Sequence, residues 1–541
     1  MNLLLLLSPF CTLFFAQCGF AASPTNNLDI RLKTGVFRGV SANGTEKWLG
    51  IPFAQPPIGP LRFKAPLPIV KTSNAIKDAS KFGNVCPQPA DPTLNAPTSE
   101  DCLFLNVWRP QNVDPNVKLP ILLWIHGGAY TTGASSQTGF DPTDIVKRSA
   151  EIGRPIVFVS NNYRMNTFGF LASGNVPPED LNAGLLDQRV ALEFVQDNIA
   201  AFGGDPSKVT IWGESAGAGS VQAHFLYPAN RSLFRAGILD STTGPFKNSP
   251  PATTYDKPGK PFTRLLSATG CSAGRNAISC LQNVPFETLM NISNVMIDAT
   301  LNQQLWQPSI GPVGSLIPEE ASARVKRGDF LRLPFIIGTN VNEGTVFSPT
   351  LLNLGLRGPS ETAAFDNFIG HLVIDNSTIT TEVLDEFHRL YPANDPSLGA
   401  PFNQGDSLFD RASAWYTDIM FLAPTRLFSQ HAAQLQPTYV YRFAEFILGN
   451  DPTFGVSHTS ELQLLFGPIP PIASIEQGLA AQMRDFYINF VYDLTPGVQW
   501  PKYPRGVLQL QRDNITVIPD DFDLVKTNFL NTDRVLSEFE K

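Results

Sequence analysis

Two short runs, Ile121-Leu122-Leu123-Trp124-Ile125 and Ile156-Val157-Phe158-Val159, carry no polar side chain on either face. Val209-Thr210-Ile211-Trp212 carries one Thr. A strand with water on one side alternates apolar and polar residues. Runs that are apolar on both faces belong to strands covered on both sides, as in a parallel sheet. Between the last two runs Leu186, Val190, Phe194 and Val195 recur at helical spacing and predict a covering helix. Leu333-Pro334-Phe335-Ile336-Ile337-Gly338 predicts a further strand. No repeat, charge block or Ser/Gly linker interrupts this β-α-β order, which predicts an α/β fold with helices on both faces of the sheet. Near the start, Leu28, Ile30 and Leu32 alternate with polar residues as an antiparallel edge strand does. The sheet is therefore expected to be mixed.

Composition narrows the class. The chain has 541 residues, enough for a large core without staples. Its 41 Gly and 46 Pro stay well below the share that marks low-complexity chains. With 40 basic against 48 acidic residues the formal net charge is −8, which argues against a nucleic-acid partner, since phosphate binding rests on clustered Lys and Arg. Leu3 to Leu7 and Pro9 to Ala16 form an apolar stretch too short to span a bilayer but suited to the core of a signal peptide. Gly19 and Ala21 stand three and one positions before a cut after Ala21. The expected organisation is a signal peptide over 1–21 and a single catalytic domain over 22–541, exported and without a stable membrane anchor. Export decides how the cysteines read. Cys86, Cys102, Cys271 and Cys280 remain after cleavage, and their short separations favour the pairs Cys86–Cys102 and Cys271–Cys280. Their spacing fits no zinc pattern, so no metal is expected; no cofactor is expected either. Asn-x-Ser/Thr sites at Asn43, Asn230, Asn291, Asn376 and Asn514 agree with a secretory route.

Chemistry shows at Gly213-Glu214-Ser215-Ala216-Gly217, directly after the strand ending at Trp212 and before a helix-like stretch from Ala218 to Leu226. A Ser on a sharp strand-to-helix turn needs small residues two before and two after it, and the helix N-terminus points N–H groups at charge developing beside it. A serine hydroxyl is a weak nucleophile until a positioned base takes its proton. Of the six histidines, His388 and His431 lie in amphipathic helical surroundings, and His224 sits on the helix after Ser215, facing away from its tip. His458, in the small-residue loop Gly455-Val456-Ser457-His458-Thr459-Ser460, is the preferred base, with His371 as the alternative. Glu343 follows the strand ending at Gly338, where sites of open α/β sheets gather, and is placed to orient an imidazole. Trp124-Ile125-His126-Gly127-Gly128-Ala129 ends another strand in small residues that can offer bare N–H groups to an oxyanion.

The stretches GIPFAQPPIGPLRF (50–63), EDCLFLNVW (100–108), NYRMNTFGF (162–170) and GLLDQRVALEFVQDNIAAFGGDPSKVTIWGESAGA (184–218) are joined by GTNVNEG (338–344) and GVSHTSEL (455–462). In these the chain resembles the type-B carboxylesterase family, which includes cholinesterases, fungal lipases like that of Candida rugosa, and secreted carboxylesterases. The resemblance implies an α/β-hydrolase fold, a large, mixed, mostly parallel sheet flanked by helices, with Ser215 as nucleophile, Glu343 as acid and His458 as base. It also implies an oxyanion hole from the N–H groups of Gly128, Ala129 and Ala216, buried ion pairs Arg62–Glu100 and Arg164–Asp187, and the same two disulfides. Ala129 departs from the commoner third glycine, so its methyl is expected to narrow the acyl side or disfavour bulky alcohols. In the family the first disulfide loop forms a flap over the gorge. Here Pro87 to Asp101 holds no aromatic residue and Leu94 as its one bulky apolar side chain, a poor choline site and a poor lipid lid. The expected activity is a broad carboxylesterase acting on small-molecule esters with short-to-medium acyl or aryl groups. A long-chain lipase or sterol esterase is the alternative, with some of the 39 Phe lining a deep tunnel. A non-catalytic adhesion protein would need a missing member of the Ser-Glu-His set.

Overall fold

The computed structural model describes residues 28–540 except 71–73, 115–116 and 245–248. The expected signal segment 1–21 and its cleavage point lie outside the described residues.

Among the described residues eleven strands form the main sheet. In chain order they are β1 Val40–Ala42, β2 Thr45–Pro52, β3 Phe104–Pro110, β4 Leu119–Ile125, β5 Val157–Asn161, β6 Gly204–Glu214, β7 Ala236–Asp240, β8 Phe335–Asn340, β9 Thr438–Phe443, β10 Val507–Leu510 and β11 Thr516–Ile518. Their spatial order is β11-β10-β9-β8-β7-β6-β4-β5-β3-β2-β1. From β5 through β4 and β6 to β10 neighbours run parallel, and the sheet turns antiparallel at both edges. The mixed character was expected, but its cause differs. The alternating stretch near the start forms a strand, Asp29–Leu32, that pairs antiparallel with Gly35–Arg38 in a separate three-stranded sheet with Ile76–Asp78. The alternation shows a strand with one covered face, and it carries no information about which sheet that face joins.

The central strands are buried on both sides because they separate two cores. Ile121, Leu123 and Ile125 of β4 enter one core, and Leu122 and Trp124 enter the other. Trp124 meets Trp212 at 4.4 Å between ring centroids, and Trp212 stacks on Phe466 at 4.9 Å. Helices α1 (Ala183–Asn198) and α2 (Ala216–Leu226) supply buried apolar residues to the first core, and α5 (Gln477–Asp493) to the second. Helices α3 (Ser407–Thr417) and α4 (Ala423–Ala432) are joined by a π-helical turn, Asp418–Leu422. Pro424 has no N–H to return to the carbonyl of Met420, so the α-helical ladder is interrupted at that point.

Both disulfides are present, with Cα separations of 5.0 Å for Cys86–Cys102 and 5.8 Å for Cys271–Cys280. The two ion pairs are buried and bidentate. Arg62 donates to both oxygens of Glu100 at 2.6 and 2.7 Å, and Arg164 donates to Asp187 at 2.8 and 2.6 Å. Arg62 also donates to the carbonyl of Val284, tying the first disulfide loop to the helix that carries Cys280.

Candidate active site

The carboxyl ends of β4, β6 and β8 converge, with β7 lying between the last two. β6 ends at Glu214 and α2 begins at Ala216, leaving Ser215 alone at the corner with φ 56° and ψ −124°. A non-glycine residue there is strained, and such strain persists where the surroundings fix it. The fixing bonds are Ser215 N–H to the carbonyl of Asp240 (2.9 Å) and Gly219 N–H to the carbonyl of Ser215 (2.9 Å). The glycines are required by space. A Cβ on Gly213 would lie 2.3 Å from the backbone of Gly217, and one on Gly217 would lie 2.1 Å from the carbonyl oxygen of Ile125. A Cβ on Gly127 would come 3.0 Å from that of Ser215, so the strand-end loop of β4 lies against Ser215.

Beyond β8, Glu343 is fully buried. Its Oε1 accepts from the Asn340 N–H (2.7 Å) and from Ser241 Oγ (2.6 Å), and its Oε2 accepts from His458 Nδ1 (2.6 Å). Three donors fix its orientation. The two loops are also pinned to each other. Asn342 N–H donates to the carbonyl of Val456 at 2.9 Å, and Val456 N–H donates to Asn342 Oδ1 at 3.1 Å. An imidazole that donates from Nδ1 leaves the lone pair of Nε2 free to accept a proton.

Nε2 of His458 lies 3.1 Å from Glu214 Oε1. Burial pushes the Glu214 carboxyl well above the usual carboxylate range, and the acidic neighbours Glu461, Glu343 and Asp240 push it further. Glu461 is raised in the same way, by burial first and then by Asp240 and Glu343. Asp240, which accepts from Trp212 Nε1 and Tyr487 OH, is pushed up to about 6 by burial. Of the acids around the imidazole, Glu343 accepts three hydrogen bonds, whereas Glu214 is held above the usual carboxylate range by burial.

The N–H groups of Gly128, Ala129 and Ala216 carry no hydrogen-bond partner among the described residues. All three residues line the cavity that holds Ser215 and His458. Ala129 and Tyr130 both have left-handed backbones, φ 55° and 57°. His126 supports this turn from behind. It stacks on Tyr163 at 4.4 Å and pairs through Nδ1 with the carbonyl of Gly127, and burial drives its pKa down to about 4.

The remaining histidines stand apart from the cavity lining. His224 is buried against Gln188, His388 pairs with Asp366, and His371 and His431 bond carbonyls on their own helices. Ser215, His458, Gly128, Ala129 and Ala216 thus share one cavity of about 250 Å³, with Glu343 directly behind His458. Sequence reasoning did not find the rest of the lining: Phe347, Tyr416, Met420 and Phe421 on one part, and carboxamides from Asn302 to Gln307 on another. The π-helical turn presents Met420 and Phe421 to the cavity, and no periodicity announces such a turn. The Asn-Gln-Gln run was a visible signal that had no strand end to anchor it.

A model of the carboxylesterase family matches residues 26–527. The chain is 33% identical over 530 residues to secreted lipase 1 of Botryotinia fuckeliana, covering 90% of this chain and 88% of that protein. It is 30% identical over 490 residues to the para-nitrobenzyl esterase of Bacillus subtilis, covering 87% and 91%. Among solved structures, EstA of Aspergillus niger superposes with a TM-score of 0.81 at 27% identity, covering 95% of this chain and 99% of that one.

Proposed function

Since the chain belongs to the carboxylesterase family, has the α/β-hydrolase fold and is a carboxylic ester hydrolase, we propose that it is a secreted serine esterase using Ser215, His458 and Glu343. The observation that carries this reading is the 2.6 Å bond from His458 Nδ1 to Glu343, in a cavity shared by Ser215 and three unpartnered N–H groups. Ser215 Oγ attacks the ester carbonyl while His458 Nε2 takes its proton. The carbonyl oxygen gathers negative charge and is held by the N–H groups of Gly128, Ala129 and Ala216. The alcohol leaves with the proton from His458. Water, deprotonated by the same nitrogen, then releases the acid and restores Ser215. Glu343 orients the imidazole and stabilises its cation without taking the proton.

Short-to-medium acyl or aryl esters are the proposed substrates. The cavity is compact, and the loop from Pro87 to Asp101 contributes nothing to its lining. That loop is pinned to the oxyanion turn by Gln88, which donates to the carbonyl of Gly133 (2.9 Å) and accepts from its N–H (2.8 Å). It is an anchored support and not a swinging lid. The proposed mature protein is one catalytic domain over 22–541, and Asn43, Asn230, Asn291, Asn376 and Asn514, all exposed, are its proposed glycan acceptors.

The test is kcat/KM for p-nitrophenyl esters from C2 to C16, with Ser215→Ala alongside. A peak between C2 and C6, and a loss on the order of a million-fold in the variant, are expected. A peak beyond C10 would replace this reading with that of a long-chain esterase.

A further inference from the structure

The cavity around Ser215 has two unlike parts. Ring centroids of Phe421 and Phe347 lie 4.6 and 5.2 Å from the imidazole of His458, and Tyr416 stacks on Phe347 at 4.8 Å. The rest of the lining beyond the oxyanion turn is dominated by Asn302, Gln303, Gln304 and Gln307, four carboxamides within six residues. This segment is fastened to the oxyanion turn. Thr131 Oγ donates to the carbonyl of Gln303 (3.0 Å), and Gln307 Nε2 donates to the carbonyl of Ala129 (3.2 Å). Gln304 Nε2 donates to the hydroxyl of Tyr416 at 3.0 Å, where the two parts meet. Asn302 and Gln303 both hold left-handed backbones, φ 52° and 60°, a strained pair of the kind retained at ligand sites.

The chemistry orients a substrate between these parts. The leaving oxygen must lie at His458, which hands it a proton, so the alcohol half lies against Phe347 and Phe421. The acyl half, on the other side of the carbonyl held by the oxyanion turn, runs toward the fastened carboxamides. An alkyl chain placed there strips water from several amides and returns no hydrogen bond. A hydroxyl or second carbonyl on the acid restores them.

Resting on the proposed roles of Ser215 and His458, we propose that the preferred acids carry a hydrogen-bonding group within a few atoms of the ester carbonyl, as hydroxy and oxo acids do, and that the alcohols are aryl or apolar. A site built to bond a hydroxyl discriminates strongly against the analogue that lacks it.

The test compares phenyl 3-hydroxybutyrate, as its faster enantiomer, with the equally shaped phenyl 3-methylbutyrate. Each kcat/KM is divided by the ester's own hydroxide-catalysed rate. The expected ratio favours the hydroxy ester by about tenfold in the wild type and falls in Gln303→Met or Gln304→Met. The first of these replaces an exposed side chain, so the folded state is not at risk. A ratio below about threefold, or one that neither substitution lowers, overturns the proposal. Ser215→Ala separates the two levels. If it still hydrolyses both esters, the nucleophile assignment fails. If it is inert while the wild-type ratio stays near one, only the acyl-side inference fails.

Discussion

At the scale of single residues, the site holds two carboxyl groups beside His458 that their surroundings treat differently. Glu343 has three donors, whereas Glu214, at 3.1 Å from His458 Nε2, is held above the usual carboxylate range by burial. Glu343→Gln is therefore expected to cost roughly a thousand- to ten-thousand-fold in kcat, less than loss of Ser215 or His458, because the amide misdirects the imidazole without removing it. Glu214→Gln keeps the shape of a carboxyl whose charged form burial disfavours and is expected to stay within about tenfold. Steady-state kinetics on the two variants checks this, and equal losses would remove the distinction. Ala129 gives a second prediction. Its left-handed backbone costs about 1–2 kcal/mol, and a glycine there loses about 0.5–1 kcal/mol in chain entropy. Ala129→Gly should leave stability within about 1 kcal/mol in a denaturant titration, while raising the rate on tert-butyl acetate relative to n-butyl acetate. An unchanged ratio would show that the methyl does not limit the alcohol side. The sharp corner at Ser215 was legible in the sequence because Gly213 and Gly217 meet a local spatial requirement, whereas Gly128 and Ala216 entered as oxyanion donors through the resemblance. His458 was separated from His371 only by its loop and by the resemblance, since the bond that selects it spans 115 residues.

At the scale of elements, the parallel strands were legible because burial on both faces leaves a run without polar residues. Asp29–Leu32 was legible as a strand and misplaced, since alternation says nothing about partners. The joint between α3 and α4 was illegible, because a π-helical turn follows from a missing N–H at Pro424 and from packing around it. That turn holds Asp418, buried and pushed up to about 8 by burial, with Tyr391 OH donating to it at 2.8 Å. Asp523, Lys526 and Arg426 face it. Between its ordinary pKa of 3.8 and about 8 the folded chain holds a proton that the unfolded chain has lost. Stability is therefore lost through Asp418 as pH rises across that window, and the full cost is present above about 8. Asp418→Asn should be more stable than wild type near pH 9, with the difference shrinking toward pH 5. Chemical denaturation at the two pH values checks this, and a difference independent of pH would show that Asp418 does not titrate there.

At the scale of the whole molecule, the sheet sits between two cores fed by alternate residues of the same strands, so the ends of β4, β6 and β8 are held rigidly from both sides. Rigidity there matters to the proposed mechanism because its oxyanion turn, nucleophile and acid follow three different strand ends, and each must keep its place as charge develops. Disulfides and buried ion pairs fasten the loops around that platform, and the family match spans nearly the same length of chain. The proposed acyl preference was not legible in the sequence, because the carboxamide segment is fastened beside the cavity by contacts with Ala129, Thr131 and Tyr416, all distant along the chain. The most direct measurement is the mass of the intact protein after reaction with diethyl p-nitrophenyl phosphate, followed by peptide mapping. One diethylphosphoryl group per chain on Ser215 is expected, with ester hydrolysis lost in proportion and no adduct on Ser215→Ala. An adduct on another residue that tracks the loss of activity, or full activity in a fully labelled chain, would contradict Ser215 as the nucleophile.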